Sequence, residues 1–313
     1  MKYSVVIPVF NEAKNVAVVH AELVQTMNAW GDVYEIIFVN DGSTDNTADV
    51  LSTLRPLTLI SLRKNFGQSA ALDAGIKHST GEIIITLDGD GQNPPSEIPK
   101  LLQVMSKGNF DVVSGWRKKR IDPLMKRFIS RGANQLRRIF VKDGIHDSGC
   151  SLKVYKRECF ENIDLIGEMH RFIPGMLSWY GFRVGETEVE HRPRLHGNTK
   201  YNWQRIVKSM IDILAISFWR KYSNRPLHLF GGFSFLFIGG GGALGVYIFI
   251  AKLFYHKPFA DSNMPLLAVF MVFVGVQLFV SGLLADIAIR HYYSGERLPY
   301  VVREVITTSK KNS

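Results

Sequence analysis

The sequence predicts an α/β protein: a mostly parallel, doubly wound sheet, then amphipathic interfacial helices and two membrane-spanning helices. Three observations carry that prediction. Short apolar runs rich in β-formers alternate with helical patterns through residue 114, the order that builds a parallel sheet covered by helices. Polar residues recur just past the apolar runs, where such sheets bind ligands. Far along the chain, residues 229–251 and 266–285 carry no charge, and each is about the ~20 residues a helix needs to cross a bilayer.

The first apolar run, residues 3–9, leads to Asn11 and Glu12 ahead of a helical pattern that reaches Met27. Residues 33–39 repeat the device and deliver Asn40, Asp41, Gly42 and Ser43, with Ser43 or Thr44 placed to cap the next helix. A third run, residues 57–62, ends at Arg63, Lys64 and Asn65, and residues 67–78 read as helix. The fourth, within IIITLDGDGQNPP at residues 83–95, is the centre of the chain. An isoleucine-rich run this short, between Gly81 and a Gly/Pro cluster, suits a strand buried on both faces. It ends in Asp88 and Asp90, two residues apart and so on one side of an extended chain, with the Gln92 carboxamide beyond. Oxygen donors of this kind suit Mg2+ or Mn2+ on a diphosphate; a solvated acidic turn accounts for the same residues equally well. A helix over 96–106 and a fifth strand over 111–114 complete the series.

Composition adds bounds. A chain of 313 residues has room for a full soluble domain and more, and 21% charged residues beside a mean hydropathy of +0.02 means that apolar residues are concentrated somewhere. The net charge of +10 is also uneven, with ten Lys or Arg against Asp122 alone in residues 117–142. Such a patch draws phosphates of any kind, in nucleic acid, anionic lipid or nucleotide. Over residues 123–142 Met125, Phe128, Ile129, Ala133, Leu136, Ile139 and Phe140 recur at helical spacing, which fits a helix lying on a membrane surface and also a core-facing helix with a solvated basic face. Residues 203–218 repeat that register. Two cysteines, Cys150 and Cys159, are too few and too close for a disulfide framework and fit a reducing compartment. The N-terminus lacks the apolar core and cleavage site of a signal peptide.

Topology follows from the flanks of the spans. Arg205, Lys208, Arg220, Lys221 and Arg225 precede the first, and Arg290, Arg297, Arg303, Lys310 and Lys311 follow the second, whereas the connecting loop has Lys257 beside Asp261. The positive-inside bias puts the soluble domain and both termini in the cytoplasm. Gly241 and Gly245 form a GxxxG pair suited to close helix packing; inside an apolar span they are not a dinucleotide fingerprint. Asp286 and Arg290 are spaced to pair. The expected organisation is a soluble domain over 1–200, an interfacial helix and linker over 201–226, a helical hairpin over 227–290 and a tail over 291–313.

Six motifs in order, VVIPVFNE, VNDGSTDNT, RKNFGQSAAL, TLDGDGQNPP, DSGCSLKVY and RLHGNTKY, followed by two spans, resemble the family 2 glycosyltransferases of GT-A fold, in particular the membrane-attached polyprenyl-phosphate glycosyltransferases. The likeness covers nearly the whole chain. It implies that Pro8, Asn11, Glu12 and Asp41 hold the base and ribose of a nucleotide sugar, with Lys64 beside them. It implies that Asp88 lies near ribose and metal and that Asp90 and Gln92 ligate the metal. Arg117 and Arg131 match basic positions facing phosphate, and Arg194 and Lys200 match a loop that closes on the phosphates. Gly89 and Gly91 depart from the family's usual alanine and leucine, which bears on loop flexibility. Lys64 stands where arginine is frequent.

The chemistry makes sense of these residue types. A diphosphate leaving group gains charge as the glycosidic bond breaks, so a divalent cation and Arg/Lys clamps stabilise it. A lipid monophosphate acceptor is already ionised and needs little help from a base, which leaves Asp147 to orient the acceptor, take a residual proton or cap its loop. The implied partners are a nucleotide sugar, a polyprenyl phosphate, membrane lipids and further copies of the chain, with no nucleic acid. A UDP donor is expected, with GDP-mannose as the alternative. A processive polysaccharide synthase is disfavoured by the absence of an Arg-Trp dipeptide, and a non-catalytic membrane adaptor would bind donor without turnover.

Overall fold

The computed structural model describes residues 2–118, 144–161, 163–165, 167, 169–193, 218, 221–222, 225–255 and 263–293. The basic helix expected over 123–142, the interfacial helix over 203–217, the tail beyond 293, and Arg131, Arg194 and Lys200 lie outside the described residues; so does the side chain of Arg290, and with it the pair with Asp286. Two compact units divide the chain, Met1–Leu214 and Ala215–Ser313.

Among the described residues of the first unit, seven strands form one sheet in the order β3-β2-β1-β4-β6-β5-β7. They are β1 (Tyr3–Val9), β2 (Tyr34–Asn40), β3 (Thr58–Ser61), β4 (Ile83–Thr86), β5 (Val112–Trp116), β6 (Lys153–Lys156) and β7 (Val184–Glu188). Helices α1 (Val16–Trp30), α2 (Thr47–Thr53), α3 (Gln68–His78), α4 (Ile98–Gly108) and α5 (Ile173–Trp179) connect or follow them. Side chains alternate across a strand, and β1 is apolar in both phases. Val5, Ile7 and Val9 join Val16, Val19, Leu23 and Met27 of α1 and Ile98 and Leu101 of α4 in one core. Val6 joins Ile37, Val39, Ala71, Ile76 and Leu177 in the other. A central strand covered on both sides in this way is the doubly wound arrangement that its unbroken apolar run requires.

β1 runs parallel to β2, with Val9 opposite Asn40, and parallel to β4, with Val6 opposite Thr86. The sheet is mixed, because β6 is antiparallel to both β4 and β5. The chain leaves β5 at the carboxyl edge and comes back to that same edge at Asp147, which binds Arg117, so the next strand must run the opposite way. β7 then restores the parallel direction against β5.

The second unit contains α6 (Pro226–Tyr255) and α7 (Met264–Tyr293), both long and apolar enough to cross a membrane by length and composition. Their contacts run in opposite senses along the two helices. A Cβ on Gly241 would stand 2.8 Å from the Ala268 carbonyl oxygen, one on Gly275 would stand 2.6 Å from Ile238, and one on Gly282 would stand 2.8 Å from Phe230. Small residues therefore let the helices approach, as apolar spans require. The glycines that do so among the described residues are Gly240, which faces Met271, and Gly241, Gly275 and Gly282. Gly245, expected to pair with Gly241, has nothing within 4 Å of its Cβ position.

Candidate active site

Strand order reverses at β1, between β2 and β4, and a sheet of this kind opens a crevice at the carboxyl ends of those strands. The crevice is a cleft of about 330 Å3 lined from β1 by Pro8, Val9, Phe10 and Glu12, from β2 by Asp41, from the α3 side by Asn65, Gly67 and Gln68, and from the β4 turn by Asp88, Gly89 and Asp90; His170 and Arg171 close the far wall. Of the residues singled out in the sequence, Pro8, Glu12, Asp41, Asp88 and Asp90 meet here. Asn11, Lys64 and Gln92 are not among the lining residues.

The turn after β4 is held rigidly. Asp88 N–H donates to Ser151 Oγ at 3.1 Å, and Gln92 N–H donates to Asp90 Oδ1 at 3.0 Å. Asn93 Nδ2 reaches the same Ser151 hydroxyl at 2.7 Å. A Cβ on Gly89 would collide with Val9, and Gly91 has φ +74°, a region open to glycine. Glycine at these two positions is what the geometry of the turn requires.

Asp88 is partly exposed to the cleft, yet protein crowds its carboxyl. Burial first, and then the charge of Asp90, push it above the usual carboxylate range against the opposing pull of Ser151, Arg117 and Lys153. Gln68 Nε2 donates to Asp88 Oδ1 at 2.7 Å. Two like charges at the base of one cleft, one of them held above its usual range, form a site that a divalent cation would relieve. Among the described residues no three of His, Cys, Asp and Glu form a ready-made cage. One or two carboxylates completed by substrate phosphates is the way Mg2+ is commonly bound, and these residues fit it.

Arg117 lies beyond that pair. Its Nε donates to Asp147 Oδ2 at 2.7 Å and its NH2 group to Asp147 Oδ1 at 3.0 Å, a bidentate fork that fixes the guanidinium plane. Burial works against the Arg117 charge, but Asp147 outweighs it and raises the group above its ordinary value. Asp147 also accepts from Gly149 N–H at 3.2 Å, and its own N–H donates to Glu186 Oε1 at 3.0 Å. It is both a loop cap and an anchor for arginine. Lys153 is buried beneath, its ammonium donating to the Ser148 carbonyl at 3.3 Å, and burial lowers its proton affinity.

Of the other candidates, Asp41 and Glu12 line the cleft, and Asn11 and Lys64 lie outside its lining. Asp41 accepts from Phe66 N–H at 2.7 Å on one oxygen and from Gly67 N–H at 2.9 Å on the other. Asn11, at φ +56°, accepts from Thr44 N–H at 2.8 Å, while its own N–H donates to Ser43 Oγ at 3.0 Å. Glu12 N–H donates to Thr47 Oγ1 at 2.9 Å. These residues tie the ends of β1 and β2 to the loops that follow. Lys64 is exposed, 5.1 Å from the Phe66 ring centre.

Gln68, Ser151, His170 and Arg171 were not singled out by sequence. His170 Nδ1 lies 2.8 Å from Ser69 Oγ, and Arg171 Nε is 3.4 Å from His170 Nε2. Gln68 sits inside the RKNFGQSAAL motif and was within reach; His170 and Arg171 stand in no pattern that chemistry alone would mark.

Comparison with known proteins gives three findings. The family model described as glycosyl transferase family 2 matches residues 4–164. The dodecaprenyl-phosphate galacturonate synthase of Rhizobium johnstonii is 35% identical over 321 aligned positions, spanning 97% of this chain and 93% of that protein. Among solved structures, glucosyl-3-phosphoglycerate synthase from Mycobacterium tuberculosis, in complex with Mn2+, UDP and glucosyl-3-phosphoglycerate, superposes with a TM-score of 0.56 at 16% identity, covering 70% of this chain and 79% of that one. Mannosyl-3-phosphoglycerate synthase from Rubrobacter xylanophilus does so with a TM-score of 0.56 at 17% identity, covering 71% and 75%.

Proposed function

We propose, since this chain belongs to glycosyl transferase family 2 and is a glycosyltransferase, that it transfers one sugar from a UDP-linked donor to a polyprenyl phosphate. The transfer takes place at the cytoplasmic face of a membrane that α6 and α7 cross, and it inverts the anomeric carbon. The observation that carries the reading is the pair Asp88 and Asp90 at the carboxyl end of β4, facing one cleft in a chain that also has two apolar helices of spanning length. The acceptor rests on the 35% identical relative, which is named for a polyprenyl phosphate.

In the reaction an oxygen of the acceptor phosphate forms a bond to the anomeric carbon while the bond from that carbon to the diphosphate oxygen breaks, its electrons leaving with the nucleotide. Asp88, Asp90 and Gln92 would hold a divalent cation, Mg2+ or Mn2+, which when bound neutralises charge gathering on the diphosphate. Arg117, locked by Asp147, presents a preorganised positive charge, and preorganised charge needs no rearrangement as the leaving group develops its own. Both Asp147 oxygens bind Arg117, so Asp147 acts by holding that arginine. Arg131, Arg194 and Lys200 are assigned to phosphate, Pro8 and Glu12 to the nucleotide wall. Asp41 and Asn11 act through the loops they tie down, and Lys64 at the cleft's edge.

The test is incubation of the purified chain with labelled UDP-sugars, a UDP-uronate first and GDP-mannose as the rival donor, Mn2+ and undecaprenyl phosphate. A butanol-extractable labelled lipid is expected, reduced at least about 100-fold by Asp90→Asn, the scale of losing one stabilising group in a polar site. No labelled lipid from any donor would reject the activity; undiminished product from Asp90→Asn would reject the metal assignment alone.

A further inference from the structure

We propose that the outward face of α7 is a self-association seam, on which a second copy of this chain pairs α7 against α7 with the two Gln277 carboxamides hydrogen-bonded across a two-fold axis. The proposal rests on the reading that α6 and α7 cross a bilayer. Gln277 is the fourteenth of the 26 residues in the apolar stretch Met264–Ile289, midway between the two interfaces. Its side chain is exposed. Ser281 Oγ donates to the Gln277 backbone carbonyl at 2.9 Å, and among the described residues the carboxamide itself has no hydrogen-bond partner.

The hairpin does not supply that partner. α7 seats on α6 through Gly275 and Gly282, and Gln277, two residues past Gly275, lies about 200° round the helix from it at 3.6 residues per turn. Hydrocarbon does not supply it either, since lipid tails carry no donor or acceptor and an unmet polar group there is expensive. Another copy does. A carboxamide has donors and an acceptor and is complementary to itself. Copies inserted in the same direction bring residue 277 to the same depth, and a two-fold axis along the membrane normal sets identical residues face to face.

The flanking residues agree with such a seam. Leu266, Phe270, Phe273, Val280 and Leu284 are all exposed, and with Gln277 they follow one another at spacings of four and three. That alternation is the seam of a left-handed helix pair, in which one polar residue sets register and copy number. Lipid tails would cover the apolar positions equally well, and it is the amide that distinguishes a protein partner.

The experiment uses the purified full-length chain, labelled in two batches with donor and acceptor fluorophores and reconstituted together in vesicles of phosphatidylethanolamine and phosphatidylglycerol, where no other protein is present. Energy transfer should rise with the protein-to-lipid ratio. Gln277→Leu should weaken association about three- to thirtyfold, the range for a hydrogen-bonded polar contact between spans, while Gln277→Asn, which keeps the amide, should stay within about threefold. Leucine suits a lipid-facing helix position, so the variant remains inserted. Association of Gln277→Leu equal to the parent, or no association of the parent, overturns the seam. An alkaline carbonate wash separates the premise: a chain released by carbonate rejects the spanning reading and the seam with it, whereas a chain that stays in the vesicles with Gln277→Leu unaltered rejects the seam alone.

Discussion

Asp88 illustrates what a single residue costs the fold in exchange for a site. Its carboxyl is pushed up by burial and by Asp90, so when ionised it weighs against the native state. Removing the charge should therefore stabilise the protein when no divalent cation is present. Asp88→Asn, with the Gln68 contact preserved because asparagine keeps an acceptor oxygen, is expected to raise the thermal midpoint in chelator, by about 2–4 °C for each kcal/mol relieved. It should also abolish the further rise that Mn2+ gives the parent. A fall in the chelated midpoint would show that Asp88 holds its turn together and does not strain it. That Asp88 and Asp90 would stand at the carboxyl end of a buried strand was legible from the isoleucine run before them, and both line the cleft; the run did not distinguish a metal pair from an acidic turn. The role of Asp41 was not, because nothing in VNDGST tells whether a carboxylate will face a ligand or accept from two backbone N–H groups at Phe66 and Gly67.

At the scale of elements, the strands read directly from the sequence were those whose apolar runs leave no other use for them: β1, β2, β3, β4 and β5. β6 has four residues with lysine at each end, and β7 carries Glu186 and Glu188. Both are strands because neighbours already in place accept them, which is tertiary context that no local pattern holds. The opposite edge of the central strands depends on a half-buried acid. Glu35 of β2 accepts from Ser4 Oγ of β1 at 2.6 Å and from Thr80 N–H ahead of β4 at 2.6 Å. Burial pushes the Glu35 carboxyl up, and the hydrogen bonds from Ser4, Thr80 and Gly81 outweigh it, so it lies below its usual value. An acid lowered in the folded state contributes stability that is present above its unfolded value and lost as pH falls through the folded one. The urea midpoint of the parent should therefore fall more steeply between about pH 5 and pH 3 than that of Glu35→Gln, which should be the less stable protein at neutral pH. Parallel curves for the two would remove Glu35 from the account.

For the whole molecule, the division into Met1–Leu214 and Ala215–Ser313 separates two tasks. Every described residue assigned to the donor lies in the first unit, whereas both helices of spanning length lie in the second. On the proposed function, donor binding is a property of the sheet, and reaching the acceptor is a property of attachment to the bilayer. Attachment acts through concentration. A tethered domain meets a lipid phosphate confined to its own surface at an effective concentration in the millimolar range, and avidity from such linkage can reach about 100- to 10,000-fold without a new contact. A chain ending at Leu214 should accordingly unfold as one cooperative unit and bind the nucleotide sugar as tightly as the intact protein in calorimetry. Its transfer to polyprenyl phosphate in vesicles should drop by about 100-fold or more, and transfer to a short, water-soluble prenyl phosphate supplied at millimolar concentration should recover most of the loss. If that soluble acceptor brings no recovery while donor binding is intact, the second unit supplies part of the acceptor site itself and the separation of tasks is wrong.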